Sequence, residues 1–266
     1  MFNSELKLTF SRLRTKILIL ALSAVPIALA VVLKLFGSPQ AGRGPNFIDQ
    51  VTNNGVFAAL AGIGVVIPFL LPLCVSVIAG DTVAGEASFG TLRYVLTQPV
   101  SRLYLLIIKF LSGVIFSIIA AVSIAIAGLI IGVILFPIGP VTTLSGTTIG
   151  LESGAIHILA ASLVVGLSMS GLVAIGVFIS TVTENPSAAM AGTVAIAITS
   201  QVLDALPQVS SIHPFLFTHF WSAWGDLLRF PVTFSGIESD LGIQIIYIAI
   251  FLSAAWAKFS YSDITS

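Results

Sequence analysis

The sequence predicts an all-α integral membrane protein. It is read as a single transmembrane domain over residues 1–266, with six spans and an N-terminal amphipathic helix at the interface. Three observations carry this. First, 57% of the residues are hydrophobic and only 8% are charged, with a mean hydropathy of +1.10; a soluble domain carries roughly 25% charged residues. Second, the few charges are bunched. They leave apolar runs of about 20 residues, enough to cross a hydrocarbon core of roughly 30 Å. Third, the runs lack the apolar–polar alternation of membrane barrel strands, so the spans are helices. The formal net charge of zero gives no case for nucleic acid binding.

The opening MFNSELKLTFSRLRTK (residues 1–16) sets Phe2, Leu6, Phe10, Leu13 and Ile17 at helical spacing, with Glu5, Lys7, Arg12, Arg14 and Lys16 largely between them. This reads as a helix lying in the interface, apolar face toward acyl chains and basic residues toward headgroups. No cleavable signal peptide is evident, because the first apolar run begins behind this stretch and no A-x-A-like site closes it.

Six spans follow: about Ile17–Phe36, Val56–Gly80, Leu103–Phe136, Ala155–Ser180, Ser187–Leu206 and Leu241–Ala257. The third exceeds what a bilayer needs at 1.5 Å per residue. Its first turns, Lys109 included, are expected to project or snorkel toward the cytoplasm. Small residues Ser187, Ala188, Ala189, Ala191 and Gly192 on span five suit close helix packing. Cys74, alone within an apolar run, reads as a small buried hydrophobe.

Basic residues set the orientation. Lys7, Arg12, Arg14, Lys16, Arg93, Arg102, Lys109 and Lys258 fall on one side of this map, against Lys34, Arg43 and Arg229 on the other. The majority marks the cytoplasmic side, placing both termini and the Asp81–Arg102 insert there. On the outer side, Gly37–Asn54 and Pro137–Gly154 are loops. The segment over residues 207–240 is rich in aromatics (Phe215, Phe217, Phe220, Trp221, Trp224 and Phe230). Because Trp and Tyr favour the headgroup zone, short helices on or partly in the outer leaflet are expected. The remaining inner connection, Thr181–Pro186, is a tight turn.

The insert at residues 81–102, DTVAGEASFGTLRYVLTQPVSR, gathers charges, glycines and a proline between two apolar runs. Pro99 stops a helix near Gln98, and Ser101 is placed to cap the next. Phe89, Leu92, Val95 and Leu96 share one side of an expected amphipathic helix, with Arg93 elsewhere. Asp81 and Glu86 stand at its start, available to Arg93, Arg102 or a partner's basic residue; a plain loop with internal salt bridges explains the same residues. Gly85-x-x-x-x-Gly90-Thr91 has the glycine spacing of a phosphate-binding loop but lacks its lysine and the preceding strand, so ATP is not bound by that route.

These residues resemble the signature of ABC-2 type permeases, the membrane subunits of a class of ABC exporters. The matching positions are Asp81, Gly85, Glu86, Gly90, Thr91, Leu92, Leu96, Pro99, Val100, Ser101 and Arg102. The interfacial helix, six spans, long third span, outer aromatic segment and Phe259–Ile264 tail are also similar, although Lys258 alone stands where such tails carry more basic residues. The resemblance implies that Phe89–Gln98 is a cytoplasmic coupling helix seated in a cleft of a separate ATPase subunit. The coupling set it implies is Asp81, Gly85, Glu86, Phe89, Gly90, Thr91, Leu92, Arg93, Leu96, Pro99 and Arg102. It further implies a second permease chain, ATP and Mg bound by the partner ATPase and not by this chain, and a bacterial inner-membrane location. Few charges along the spans fit an amphipathic, lipid-like or drug-like cargo.

Chemistry within the chain finds little support. Asp204 and Lys109 sit near span ends, where snorkelling or capping is ordinary, although intramembrane charges are functional candidates. His157, His213 and His219 are too scattered for a metal motif. Ser210, Ser211, His213 and Asp226 could assemble a nucleophilic site, but interfacial packing explains them. Two rivals stand beside the permease reading. One is a secondary transporter or channel, which would want coupling carboxylates or broken helices near midplane. The other is an intramembrane lipid-modifying enzyme.

Overall fold

The computed structural model describes residues 2–37, 50–88 and 101–261. Chain order is α1 (Phe2–Ser11), α2 (Leu13–Phe36), α3 (Phe57–Val66), α4 (Leu70–Asp81), α5 (Ala84–Ser88) and α6 (Arg102–Leu135). A hairpin of β1 (Val141–Thr142) and β2 (Thr148–Ile149) follows, then α7 (Leu151–Ser168), α8 (Ser170–Val182) and α9 (Pro186–Asp204). Two 3₁₀ segments, Pro207–Phe215 and Ala223–Leu228, lead to α10 (Ser235–Tyr261). Among the described residues five helical stretches are long and apolar enough to cross a membrane, and six if the bent pair α3–α4 is one span. The expected helix over Phe89–Gln98, and with it Phe89, Gly90, Thr91, Leu92, Arg93, Leu96 and Pro99, lies outside the described residues.

Arg12, extended at φ −62°, ψ 131°, separates α1 from α2. The break turns the expected continuous apolar stripe. Phe2, Glu5, Leu6, Thr9 and Phe10 are half-buried and Phe10 packs on the core, whereas Leu13 and Ile17 beyond the break are exposed. Thus α1 turns part of this face toward the helices behind it.

Span two is not one rod. Its halves meet at 57°, with Phe69 off helical geometry at φ −134°. Pro68 and Pro72, four residues apart, each withdraw an amide donor and crowd the preceding turn. Such breaks survive at membrane depth where neighbours re-satisfy the backbone.

The long α6 is the spine, packing against α2, α3 and α7. A Cβ at Gly132 would stand 1.9 Å from the Gly55 carbonyl oxygen, and one at Gly128 would stand 2.4 Å from Ala59 Cα. This Gly-x-x-x-Gly pair lets two backbones meet without intervening side chains. On span five the buried face is instead Ala189, Thr193, Ala197 and Ser200; Ser187, Ala188 and Ala191 are exposed, so only part of the expected small-residue patch packs.

The stretch Leu151–Val182 is the most enclosed, with 72% of its apolar window buried against 22–33% for the other single-helix spans. It is interrupted at Met169 (φ −79°, ψ −5°), where side chains serve the backbone. Trp221 Nε1 donates to the Ser168 carbonyl at 3.0 Å, and the Gly171 amide donates to Gln244 Oε1 at 3.0 Å. This explains the aromatic segment. Phe217, Trp221 and Trp224 are buried in the bundle, while Phe215 and Phe230 remain exposed. The β-hairpin pins the same segment, with the Leu144 amide donating to the Leu228 carbonyl at 2.8 Å.

Candidate functional site

Charged side chains from five helices converge where α6 begins. Ser101 caps α6 as expected, its Oγ accepting from the Tyr104 amide at 3.3 Å. Lys109 lies two turns further on, in register with buried Leu105, Ser112, Gly113 and Phe116. That register points the lysine into the bundle. Its side chain is 1% exposed, and Nζ lies 2.6 Å from Glu86 Oε1 and 3.2 Å from Glu5 Oε1. The expectation of a snorkelling lysine is corrected: two carboxylates meet the ammonium inside, so it has no need to reach water.

Asp81 forms the second half. Its Oδ2 lies 2.9 Å from Arg12 Nη1 and 3.6 Å from Arg14 Nη1. Arg14 Nη2 also reaches the Val77 carbonyl at 3.4 Å and the Met190 sulfur at 2.9 Å. Asp81 lies directly over Gly85, where a Cβ would meet Oδ1 at 2.6 Å, so the motif glycine makes room for the motif acid. Ser180 of α8 holds the turn between α4 and α5. Its Oγ donates to the Gly80 carbonyl and accepts from the Val83 and Ala84 amides, all at 2.8–3.0 Å. Three acids (Glu5, Asp81, Glu86) and three bases (Arg12, Arg14, Lys109) thus interlock.

Arg102 turns elsewhere than to these acids. Its Nη1 donates to the carbonyls of Phe259 and Ser260, and its guanidinium lies 5.7 Å from the Phe259 ring centroid. The first residue of α6 therefore grips the last turn of α10, and α1 and the last turn of α10 both lie beside the start of α6. Of the predicted coupling residues, Asp81, Gly85 and Glu86 are brought together and Arg102 stands apart, bonded to the end of α10. Glu5, Arg12, Arg14, Lys109 and Ser180 were not in the expected set. The signal available for them was Lys109 itself, since a lysine within an apolar run requires a buried counter-charge.

Two polar clusters occupy the opposite half. Asp204, His213 and His219 present one ligand-type atom each within 4.8 Å of one another, so two of the histidines read as scattered converge through the fold. Asp226 is not part of a nucleophilic arrangement with His213. Its Oδ2 accepts from the Gly236 amide at 3.0 Å, and Oδ1 lies 3.7 Å from Arg229. Asp240, missed in the sequence, is fully buried. It accepts from Ser168 Oγ and from Gln244 Nε2 at 3.0 Å.

Comparison with known proteins adds two findings. A stretch of 93 residues, 35% of this chain, is 37% identical to the "Probable ABC transporter permease protein NosY" of Pseudomonas aeruginosa and covers 31% of that protein. The chain thus matches about a third of that relative's length. Residues 27–265 match the family described as "Protein of unknown function (DUF2705)", and with nearly the whole chain inside that match, the protein belongs to this family.

Proposed function

We propose that this chain is the membrane-spanning permease subunit of an ATP-driven transporter, coupled through residues 81–102 to a separate cytoplasmic ATPase that binds ATP and Mg. The observation that carries the reading is the interlocked cluster at the start of the insert. Asp81, Gly85 and Glu86 of the motif are fixed to α1, α2 and α6, so a displacement of the insert is transmitted at once to three helices. The partial likeness to a permease of an ABC transporter supports the same assignment. The insert from Phe89 to Pro99 is the surface offered to the ATPase, with Arg93 on it, and α1 flanks the contact.

The working unit has a second permease chain. Both termini and the insert face the cytoplasm of a bacterial inner membrane, following the positive-inside distribution. The cargo is amphipathic, lipid-like or drug-like and is exported. Nucleotide binding in the partner shifts the population of membrane conformations, and the chain itself is non-catalytic. A secondary transporter gains two supporting observations, the break in span two and Asp240, a buried carboxylate within a candidate span; export driven by an ion gradient without ATPase would establish it.

The first experiment is affinity purification of the tagged chain, with a P-loop ATPase expected in stoichiometric amount. Arg102→Ala is the second. Losing the grip on α10 should leave the chain inserted and the ATPase active while transport falls; full transport at normal ATPase rate would overturn the relay. Glu86→Ala is the less clean probe, because it strips the counter-charge from buried Lys109 and confounds coupling with folding.

A further inference from the structure

We infer that Asp204, His213 and His219 form a binding site for one divalent transition-metal cation of the zinc class. Asp204 ends α9, and both histidines come from the segment that follows, so a single turn of chain delivers all three. His219 Nδ1 lies 2.5 Å from Asp204 Oδ1, and His213 Nδ1 lies 3.9 Å from the same oxygen. Tetrahedral zinc with bonds of about 2.0–2.2 Å separates its ligand atoms by about 3.3 Å. One Asp204 contact must open and the other close, each by less than an ångström, and the two histidine nitrogens, within 4.8 Å of each other, must close by up to about 1.5 Å.

The orientation of His213 favours metal. Its Nε2 is 3.1 Å from the Leu206 carbonyl, and a carbonyl can only accept, so Nε2 carries the proton. In neutral imidazole Nδ1 then holds the lone pair and faces Asp204. Fixing one ring nitrogen by a backbone carbonyl so that the other ligates is the usual outer support of a metal-binding histidine. Two imidazoles and one carboxylate suit zinc-like ions better than calcium or magnesium, which prefer oxygen.

The site is also approachable. Asp204 and His219 line a cavity of about 330 Å³ together with Gly64, Pro68, Trp221 and Trp224. Three protein ligands plus an adjoining cavity leave a fourth position for water or an exchangeable ligand. This cavity reaches the break in span two at Pro68, so the bound ion would sit beside the hinge of a bent helix. The inference is independent of the permease assignment, because it rests on side chains remote from the insert.

The test uses the full chain purified in detergent, titrated with Zn²⁺ against a chelating indicator and with Co²⁺ by visible absorption. One equivalent should bind, with cobalt bands of four-coordinate intensity. His213→Ala, His219→Ala and Asp204→Ala should each weaken Zn²⁺ binding by about tenfold or more. His157→Ala, whose ring bonds to Ser153 elsewhere, should not. Binding that survives the triple variant, or falls equally in His157→Ala, would overturn the site. Should the ligand variants fail to fold, the wild-type cobalt spectrum decides: octahedral aqueous bands alone would mean that the three side chains are only a hydrogen-bonded clasp.

Discussion

Lys109 and Asp240 are both charged residues buried among apolar helices, and the fold compensates them in opposite ways. Lys109 is met by charge, with Glu86 and Glu5 closing on its ammonium. Asp240 is met by neutral donors, the Ser168 hydroxyl and the Gln244 amide, and Gln244 also donates to the Phe217 carbonyl at 2.9 Å. The first arrangement joins α1, α5 and α6 and is only as sound as its charge balance. The second ties α10 to the end of α7 beside the interruption at Met169 and depends on where donors point. A joint made of charge responds to displacement of any partner; a joint made of hydrogen bonds fixes a shape.

The largest effect should come from Lys109→Met. Breaking a buried pair from one side costs about 3–5 kcal/mol because an uncompensated charge remains, and here two carboxylates lose their cation. Thermal unfolding in detergent should register it, and adding Glu86→Gln should restore much of the loss. The contrast drawn above breaks if the single variant is no worse than the Asp240 variants.

Asp240→Leu should cost about 1–3 kcal/mol, the penalty of leaving buried donors unmet. Asp240→Asn should be close to neutral. Ser168 Oγ has a second acceptor, the Val164 carbonyl at 2.9 Å, so its proton can turn there while its oxygen accepts from the new amide. Only the polar contacts, not the charge, are then needed at this position. A large loss in Asp240→Asn by the same unfolding measurement would show that the carboxylate itself matters and would strengthen the ion-gradient alternative.

What the sequence disclosed follows the range of each interaction. Helical spans are legible because hydropathy and length act locally. Hence α6 was placed within a residue at each end, and its Ser101 cap was seen. The α3–α4 bend was carried by Pro68 and Pro72 but hidden by an unbroken apolar run. In the candidate site, Asp81, Gly85 and Glu86 stood out as polar residues beside a span. Their pairing did not: Arg12 and Asp81 are 69 residues apart, and Lys109 is shared between Glu86, 23 residues away, and Glu5, 104 away. Pairing over such separations is decided by helix packing, which no window along the chain reports. Asp240 was hidden for the same reason. It ends the aromatic segment over residues 207–240, where short helices at the outer leaflet are expected, and its burial against Ser168 comes from the packing of distant helices.

Arg12→Ala should have a small effect on stability, comparable to that of Asp240→Asn, although the residue sits in the same cluster as Lys109. Its side chain is 42% exposed and Asp81 keeps Arg14 nearby. Exposed pairs contribute about 0–1 kcal/mol, and this one should shrink further as salt shortens the screening length. Its consequence should be local. Arg12 is the extended residue between α1 and α2, and its bond to Asp81 ties that joint to the start of the insert. Hydrogen exchange along α1 should accelerate in Arg12→Ala while α6 stays protected. If exchange instead rises equally in both helices, α1 and α6 open as one unit and Lys109–Glu5, not Arg12–Asp81, sets how tightly the amphipathic helix is held.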